Sequence, residues 1–265
     1  SRSNVSDSAH KEAMSYDIPE QLMPGYTTYN LRVFCFQGSD FGSKGKHASN
    51  GSGIIWTDDY SVSLSIGKHE VATAFKSYTD GSVDWLELCE APDLVLPSDL
   101  QSLPDTFITI YKGSPSSFTS VAYLRIPTVE LLANGTKCEP QWYNLEHDQS
   151  HRSTPTVGFP GSVLLRISLV NMMDVGMIGE WESERKKMEL LEPYALWCHI
   201  YQARNLPSVN NNALIDPYIK ARFAGTKLKT KVLRNTQNPV YFQTLEFKKM
   251  IPQDMRLAPN LLLQV

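Results

Sequence analysis

The sequence predicts an all-β fold: two antiparallel β-sandwiches joined by a short, partly helical linker. Three observations carry that prediction. Short runs rich in branched and aromatic residues recur along the chain, with Gly or Pro at nearly every junction. One charged stretch around residue 180 breaks this rhythm. The pattern after that break then repeats the pattern before it. At 265 residues and 42% apolar, the chain is long enough for two ordinary domains and too apolar for disorder. No apolar run approaches ~18 residues, so no bilayer-spanning helix is predicted.

Residues 1–25 are polar, without sustained period, and read as a flexible N-terminal segment. The first domain is expected over 26–170. It opens with an alternating strand, Tyr29–Phe36, followed by a Gly-, Ser- and Lys-rich loop from Gly38 to Thr57. Further strands are predicted at Tyr60–Ile66, Trp85–Cys89, Thr106–Tyr111, Ser120–Ile126, Trp142–Leu145 and Val163–Val170. Residues 171–192 form the expected linker, with a helix over Glu180–Leu191 that Pro193 should end. The second domain runs over 193–265. Its opening strand, Tyr194–Tyr201, lines up with Tyr29–Phe36, and Asp216-Pro217-Tyr218 lines up with Asp58-Asp59-Tyr60. Gly225 then matches Gly67, and Thr230 matches Thr73. Two such units imply two copies of one fold.

Charge is unevenly placed. Residues 194–265 hold ten Lys/Arg against three acids, or +7, which leaves −10 for the rest of a chain whose net charge is −3. An anionic partner is therefore expected at the C-terminal part. Within it, Lys227, Lys229 and Lys231 recur at every second residue, as do Lys220 and Arg222. A strand has period two, so each set shares a face, and pairing of the two strands would line up five cations, with Arg234 extending the row. Such a face is either a solvated outer surface whose lysines discourage edge pairing or a site for anionic headgroups. The four cysteines, Cys35, Cys89, Cys138 and Cys198, have no short metal-type spacing and read as reduced thiols. The chain opens Ser-Arg-Ser-Asn, without Met or an apolar leader, so no secretory signal is visible.

Leu206-Pro207, Asp216-Pro217-Tyr218-Ile219-Lys220, Lys229-Thr230-Lys231 and Asn235-Thr236-Gln237-Asn238-Pro239-Val240-Tyr241, in that order, resemble a C2 domain. The variants Tyr201–Pro207 and Asn238–Leu245 are similar to C2 domains of the ferlin family, as is Val121–Pro127 in the first copy. The fold implied is a pair of C2-type β-sandwiches. The second is expected to be truncated, since Leu261–Val265 resembles the strand that leads into an Asp-rich third loop. Ferlins are tail-anchored, multi-C2 proteins of vesicle fusion. The resemblance implies a fragment working at the cytoplasmic face of a vesicle or plasma membrane, its parent anchored outside the fragment. The implied partners are an anionic phospholipid membrane and other C2 domains or fusion machinery.

The resemblance also raises Ca2+, which needs about 6–8 oxygens. In the second copy Asp216 matches one loop 1 ligand, the other falls on the neutral Asn210, and the third loop is not in the chain. In the first copy Asp58 and Ser52 take these places, and Lys112 stands where the family has an acid. Calcium independence is expected of the first domain, and weak or silent calcium binding of the second unless the missing loop supplies acids. An Asp ahead of Pro or Tyr also has a purely structural use, bonding nearby backbone. Leu214 and Ile215 in the second copy, and Ile54, Ile55 and Trp56 in the first, are candidates for membrane-inserting loop tips.

Enzyme signatures are scarce. Gly42–His47 lacks the glycine spacing of a phosphate loop, His147 and His151 have only Asp148 close by, and no Gly-x-Ser-x-Gly elbow occurs. No nucleic-acid module is recognisable. The expected function is non-enzymatic docking to anionic phospholipid in support of vesicle–membrane fusion or exocytosis. The rival expectation is a protein-interaction scaffold that does not touch lipid.

Overall fold

The computed structural model describes residues 25–41, 58–148, 158–170, 177–208 and 215–265. The N-terminal half contains β1 (Tyr26–Ser39), β2 (Asp59–Ile66), β3 (His69–Ala72), β4 (Lys76–Ser77), β5 (Ser82–Pro97), β6 (Thr106–Ser114) and β7 (Ser117–Ile126). Helix α1 (Thr128–Asn134), β8 (Gln141–Asn144), β9 (Glu146–His147) and β10 (Ser162–Val170) complete it. One sheet has the order β5-β1-β10-β8; the other has β3-β2-β6-β7-β9, with β4 also on β2. All pairings are antiparallel, and the inner faces meet in a core built on Leu31, Val33, Tyr60, Val62, Trp85 and Ile108. Every strand expected from alternation in this half overlaps one of these strands.

Helix α2 (Met177–Glu189) follows. It does more than link. Its Trp181 and Met188, seven residues apart on one helical face, are each only 7% exposed. They pack on Phe34, Phe36 and Leu164, the outward-facing side chains of β1 and β10. Trp181 lies 5.1 Å from the Phe34 ring and 5.6 Å from Phe36. Arg166 bonds Glu180 of α2 at 2.7 Å and lies over Phe34. This cover explains why β10 is buried along nearly its whole length, where one-sided strands alternate. The helix begins earlier than expected and Pro193 does not end it. It closes at Glu189, and Pro193 sits inside the next strand, β11 (Leu191–Gln202), opposite Met250. Proline is tolerated there because β11 has β14 as its one partner among the described residues.

The C-terminal half continues with β12 (Lys220–Phe223), β13 (Thr226–Lys229), β14 (Val240–Pro252) and β15 (Leu262–Gln264). β11 pairs with β14, and β12 lies between β13 and β15. Cys198, Ile200, Ile219, Ala221, Phe223, Tyr241 and Phe247 form the core between them.

The internal repeat is visible in hydrogen bonds. Val62 donates its N–H to Thr73 Oγ1, and its carbonyl accepts from Thr73 N. Ile219 does the same with Thr230. The repeat runs one residue out of step with the sequence alignment at the Asp positions. Thr236 N bonds the Ile215 carbonyl as Tyr78 N bonds that of Asp58, so the counterpart of Asp216 is Asp59.

The halves touch at two turns. A Cβ on Gly81 would collide with Gly225 Cα, and one on Gly225 would collide with the Asp80 carbonyl oxygen, so only bare backbone fits. A second contact brings Trp142 Nε1 to the Leu257 carbonyl at 3.3 Å and Arg256 to Glu139 at 2.6 Å.

Candidate functional site

The β12–β13 hairpin turns through Ala224 and Gly225, both at positive φ (44° and 73°), the geometry of a tight two-residue hairpin. That turn fixes the register. Lys220 stands directly opposite Lys229, and Arg222 opposite Lys227. Ile219, Ala221 and Phe223 take the alternate positions and enter the core, so the four cations share the outer face. On the other side of β12, Gln264 and Leu262 of β15 add neutral neighbours opposite Lys220 and Arg222.

Tyr218 shares the parity of Lys220, and the ammonium groups of Lys220 and Lys229 lie 5.9 and 6.0 Å from its ring centroid. Beside it opens a cleft of about 440 Å3 lined by Ile215, Asp216, Tyr218, Lys220 and Gln264. Like charges directly opposite each other in a ladder are locally unfavourable, by a few tenths of a kcal/mol or more per pair. This hairpin holds two such pairs. Among the described residues, none of Lys220, Arg222, Lys227, Lys229, Lys231 or Arg234 forms an ion pair within 4.0 Å.

Two parts of the expected face differ. β13 ends at Lys229: Thr230 points inward, as the alternation requires, but its hydroxyl and not its carbonyl accepts from Ile219 N, and the same hydroxyl donates to the Lys231 carbonyl. Lys231 and Arg234 lie beyond the strand, so period two does not carry them onto the plate. The plate is also not free of counter-charge. Asp40, 4% exposed at the end of β1, lies in the field of Arg222 and Lys227. Burial raises its carboxyl pKa above the ordinary value, against the pull of those two cations and of a bond from the Ser39 hydroxyl. The glycine contact brings them together. Lys220 and Lys229, at the far end of the hairpin, keep their charge clear of this carboxylate.

The calcium candidates have other work. Asp216 Oδ1 accepts from Asn235 N at 2.9 Å, and its counterpart Asp59 accepts from the Ser77 hydroxyl at 2.6 Å. Asp58 pairs with Lys112 at 2.8 Å. Among the described residues no three His, Cys, Asp or Glu side chains converge, so the groups present do not fit a calcium ion, which needs several carboxylates. Ile215 is half-buried, its carbonyl bonded to Thr236 N. Leu214, Ile54, Ile55 and Trp56 lie outside the described residues, as do Ser52, Asn210, His151 and the Gly42–His47 stretch.

Sequence reasoning missed Tyr218, although its parity with Lys220 was readable. It missed Asp40 for want of any local signal.

Residues 194–261 match the family model "C2 domain". Ferlin 1 of Toxoplasma gondii is 25% identical over 190 residues, which cover 67% of this chain and 12% of that protein. Fer-1-like protein 4 of Mus musculus is 25% identical over 170 residues, 58% of this chain and 8% of that protein. The chain thus spans about a tenth of the length of the curated relatives it matches. Among solved structures, the calcium-bound tandem C2 domains of Extended-Synaptotagmin 2 are 17% identical, covering 91% of this chain and 84% of that one, at a TM-score of 0.40.

Proposed function

We propose, from the premise of a C2 segment in a chain similar to ferlins, that this polypeptide docks without catalysis onto an anionic phospholipid surface through the outer face of the β12–β13 hairpin. One observation carries the reading: two directly opposed cation pairs, Lys220–Lys229 and Arg222–Lys227, held in a ladder without ion-pair partners among the described residues. Phosphate oxygens inserted between such pairs would relieve a repulsion that the fold otherwise carries.

The magnitudes are modest. Each cation near an anionic leaflet contributes about 1 kcal/mol. Four give about 4 kcal/mol at most, less about one for the Asp40 carboxylate beside Arg222 and Lys227, so the complex is at best a millimolar one. Residence would therefore come from several tethered modules acting together, as in a longer multi-domain parent with partner domains or fusion machinery. The working side would be the cytoplasmic face of a vesicle or plasma membrane. Asp59, the counterpart of Asp216, accepts from the Ser77 hydroxyl, and the neighbouring Asp58 is paired with Lys112; both arrangements favour calcium-independent action of the N-terminal half.

Co-sedimentation with vesicles tests the reading. The full chain should pellet with phosphatidylserine-containing vesicles, more so as the anionic fraction rises and less as salt rises. Lys220→Glu should weaken that binding by roughly tenfold or more, the loss of one cation and the gain of one anion at about 1 kcal/mol each. It should also raise the thermal midpoint slightly, because it turns a like-charge pair with Lys229 into an opposite-charge one. Binding insensitive to both lipid charge and this substitution rules the proposal out.

A further inference from the structure

We propose that the outer face of the β11–β14 sheet is a docking surface for an amphipathic helix carrying an aromatic anchor, the kind of element that α2 supplies to the corresponding face of the N-terminal sandwich. This face belongs to the other sheet, so it stands apart from the lipid-docking hairpin.

The two halves share a bulge here. β1 shifts register between Cys35 and Gln37, and β11 shifts register between Ile200 and Gln202. Across the bulge, Leu86 of β5 has φ 48° and Phe242 of β14 has φ 44°. Left-handed backbone at a bulky residue is uncommon, and a bulge is a means of re-aiming a side chain. Both halves therefore hold a bulky residue in left-handed backbone at the same place.

In the N-terminal half the purpose is visible. Leu86, Leu88, Phe34 and Phe36 make an apolar outer face, and α2 closes over it with Trp181 and Met188. In the C-terminal half the same register assigns Phe242, Thr244, His199 and Tyr201 to these places, with Trp197 where β1 has Arg32. Phe242 is 75% exposed, Tyr201 61% and Trp197 60%. Phe242 and Tyr201 brace each other edge-to-face at 6.0 Å, and the His199 ring is fixed by a 2.8 Å bond to Thr244. The aromatic side chains stand on the sheet face, the surface that a helix laid across the strands covers in the N-terminal half. Its charges do not favour lipid. Glu246 and Lys248 on the same face pair with each other at 3.3 Å, so they add no net positive charge to it.

The probe is a synthetic peptide of the α2 sequence, Met177–Leu190, titrated into the full chain labelled with 15N. The native α2 already fills its own face, which leaves the β11–β14 face open to the peptide. The Trp197 indole signal, assigned by its loss in Trp197→Phe, should shift saturably. Phe242→Asn should weaken the peptide by about tenfold or more, as loss of a central aromatic anchor does. Asparagine accepts left-handed backbone, so the variant should keep or raise the thermal midpoint. An unmoved Trp197 signal, or a shift that Phe242→Asn leaves unchanged, overturns the proposal. So does a concentration-dependent dimer abolished by Phe242→Asn, which would make a second copy the occupant. Burial of Trp197 by phosphatidylserine vesicles alone would make it lipid, with the same consequence.

Discussion

Asp40→Asn isolates the counter-charge that the fold places beside half of the cationic face. Asp40 is buried, sits at φ 60°, and faces Arg222 and Lys227 from the other half of the chain. Its carboxyl is raised above the ordinary range, chiefly by burial. A carboxylate whose folded pKa exceeds its unfolded one costs stability while ionised. That cost is fully present above the folded pKa, shrinks as pH falls through it, and is gone below the unfolded value near 3.8. Asparagine removes the charge and accepts the left-handed backbone. The variant should therefore unfold at a higher temperature than the parent at neutral pH, with the gap closing as pH drops below that unfolded value. The same change frees Arg222 and Lys227. One carboxylate cancels at most one cation, worth about 1 kcal/mol at an anionic leaflet, which is about a fivefold gain in vesicle affinity. Scanning calorimetry across pH and co-sedimentation at two salt concentrations read the two effects. Equal vesicle affinity for parent and variant at low salt would refute the claim that Asp40 restrains the face. A lower midpoint at neutral pH would refute the claim that its ionised form is a burden.

Two further outcomes follow from the packing. Gly225→Ala drives a Cβ into the Asp80 carbonyl and forces a non-glycine residue to φ 73°, so it should cost about 1 kcal/mol or more and push the two turns apart, seen as a larger radius of gyration by X-ray scattering. Trp181→Ala removes the ring seated on Phe34 and Phe36; a loss of about 3–5 kcal/mol in urea denaturation, with new binding of a hydrophobic dye, is the expected result, and an unchanged midpoint would mean that α2 does not stabilise the sheet it covers.

Much of this was legible in the residues, and the exceptions have physical reasons. Period two placed Lys220, Arg222, Lys227 and Lys229 on one surface because side chains of adjoining strands must alternate. It reaches no further than Lys229, because an alternation can continue along the sequence after the strand has stopped; spacing does not tell that the Thr230 hydroxyl takes the Ile219 N–H that the ladder carbonyl would have taken. The apolar side chains at both parities of Leu31–Phe36 recorded that both faces of β1 are covered, but a single strand does not say by what. Asp58 and Asp59 are adjacent and chemically identical, so only the hydrogen bonds of Tyr78 and Ser77 tell which of them answers to Asp216. The meeting of Asp40 with Arg222 depends on how two separate cores are set against one another, and no local pattern encodes that.

The contact between Gly81 and Gly225 has a mechanical meaning. Main chain meets main chain with no side chain to interlock, so this joint by itself limits approach and not rotation, while the Trp142–Leu257 and Arg256–Glu139 contacts supply the second point that holds the angle between the halves. The absence of two methyl groups therefore sets how closely the halves approach, and a side-chain clasp elsewhere sets the direction in which the charged surface is presented.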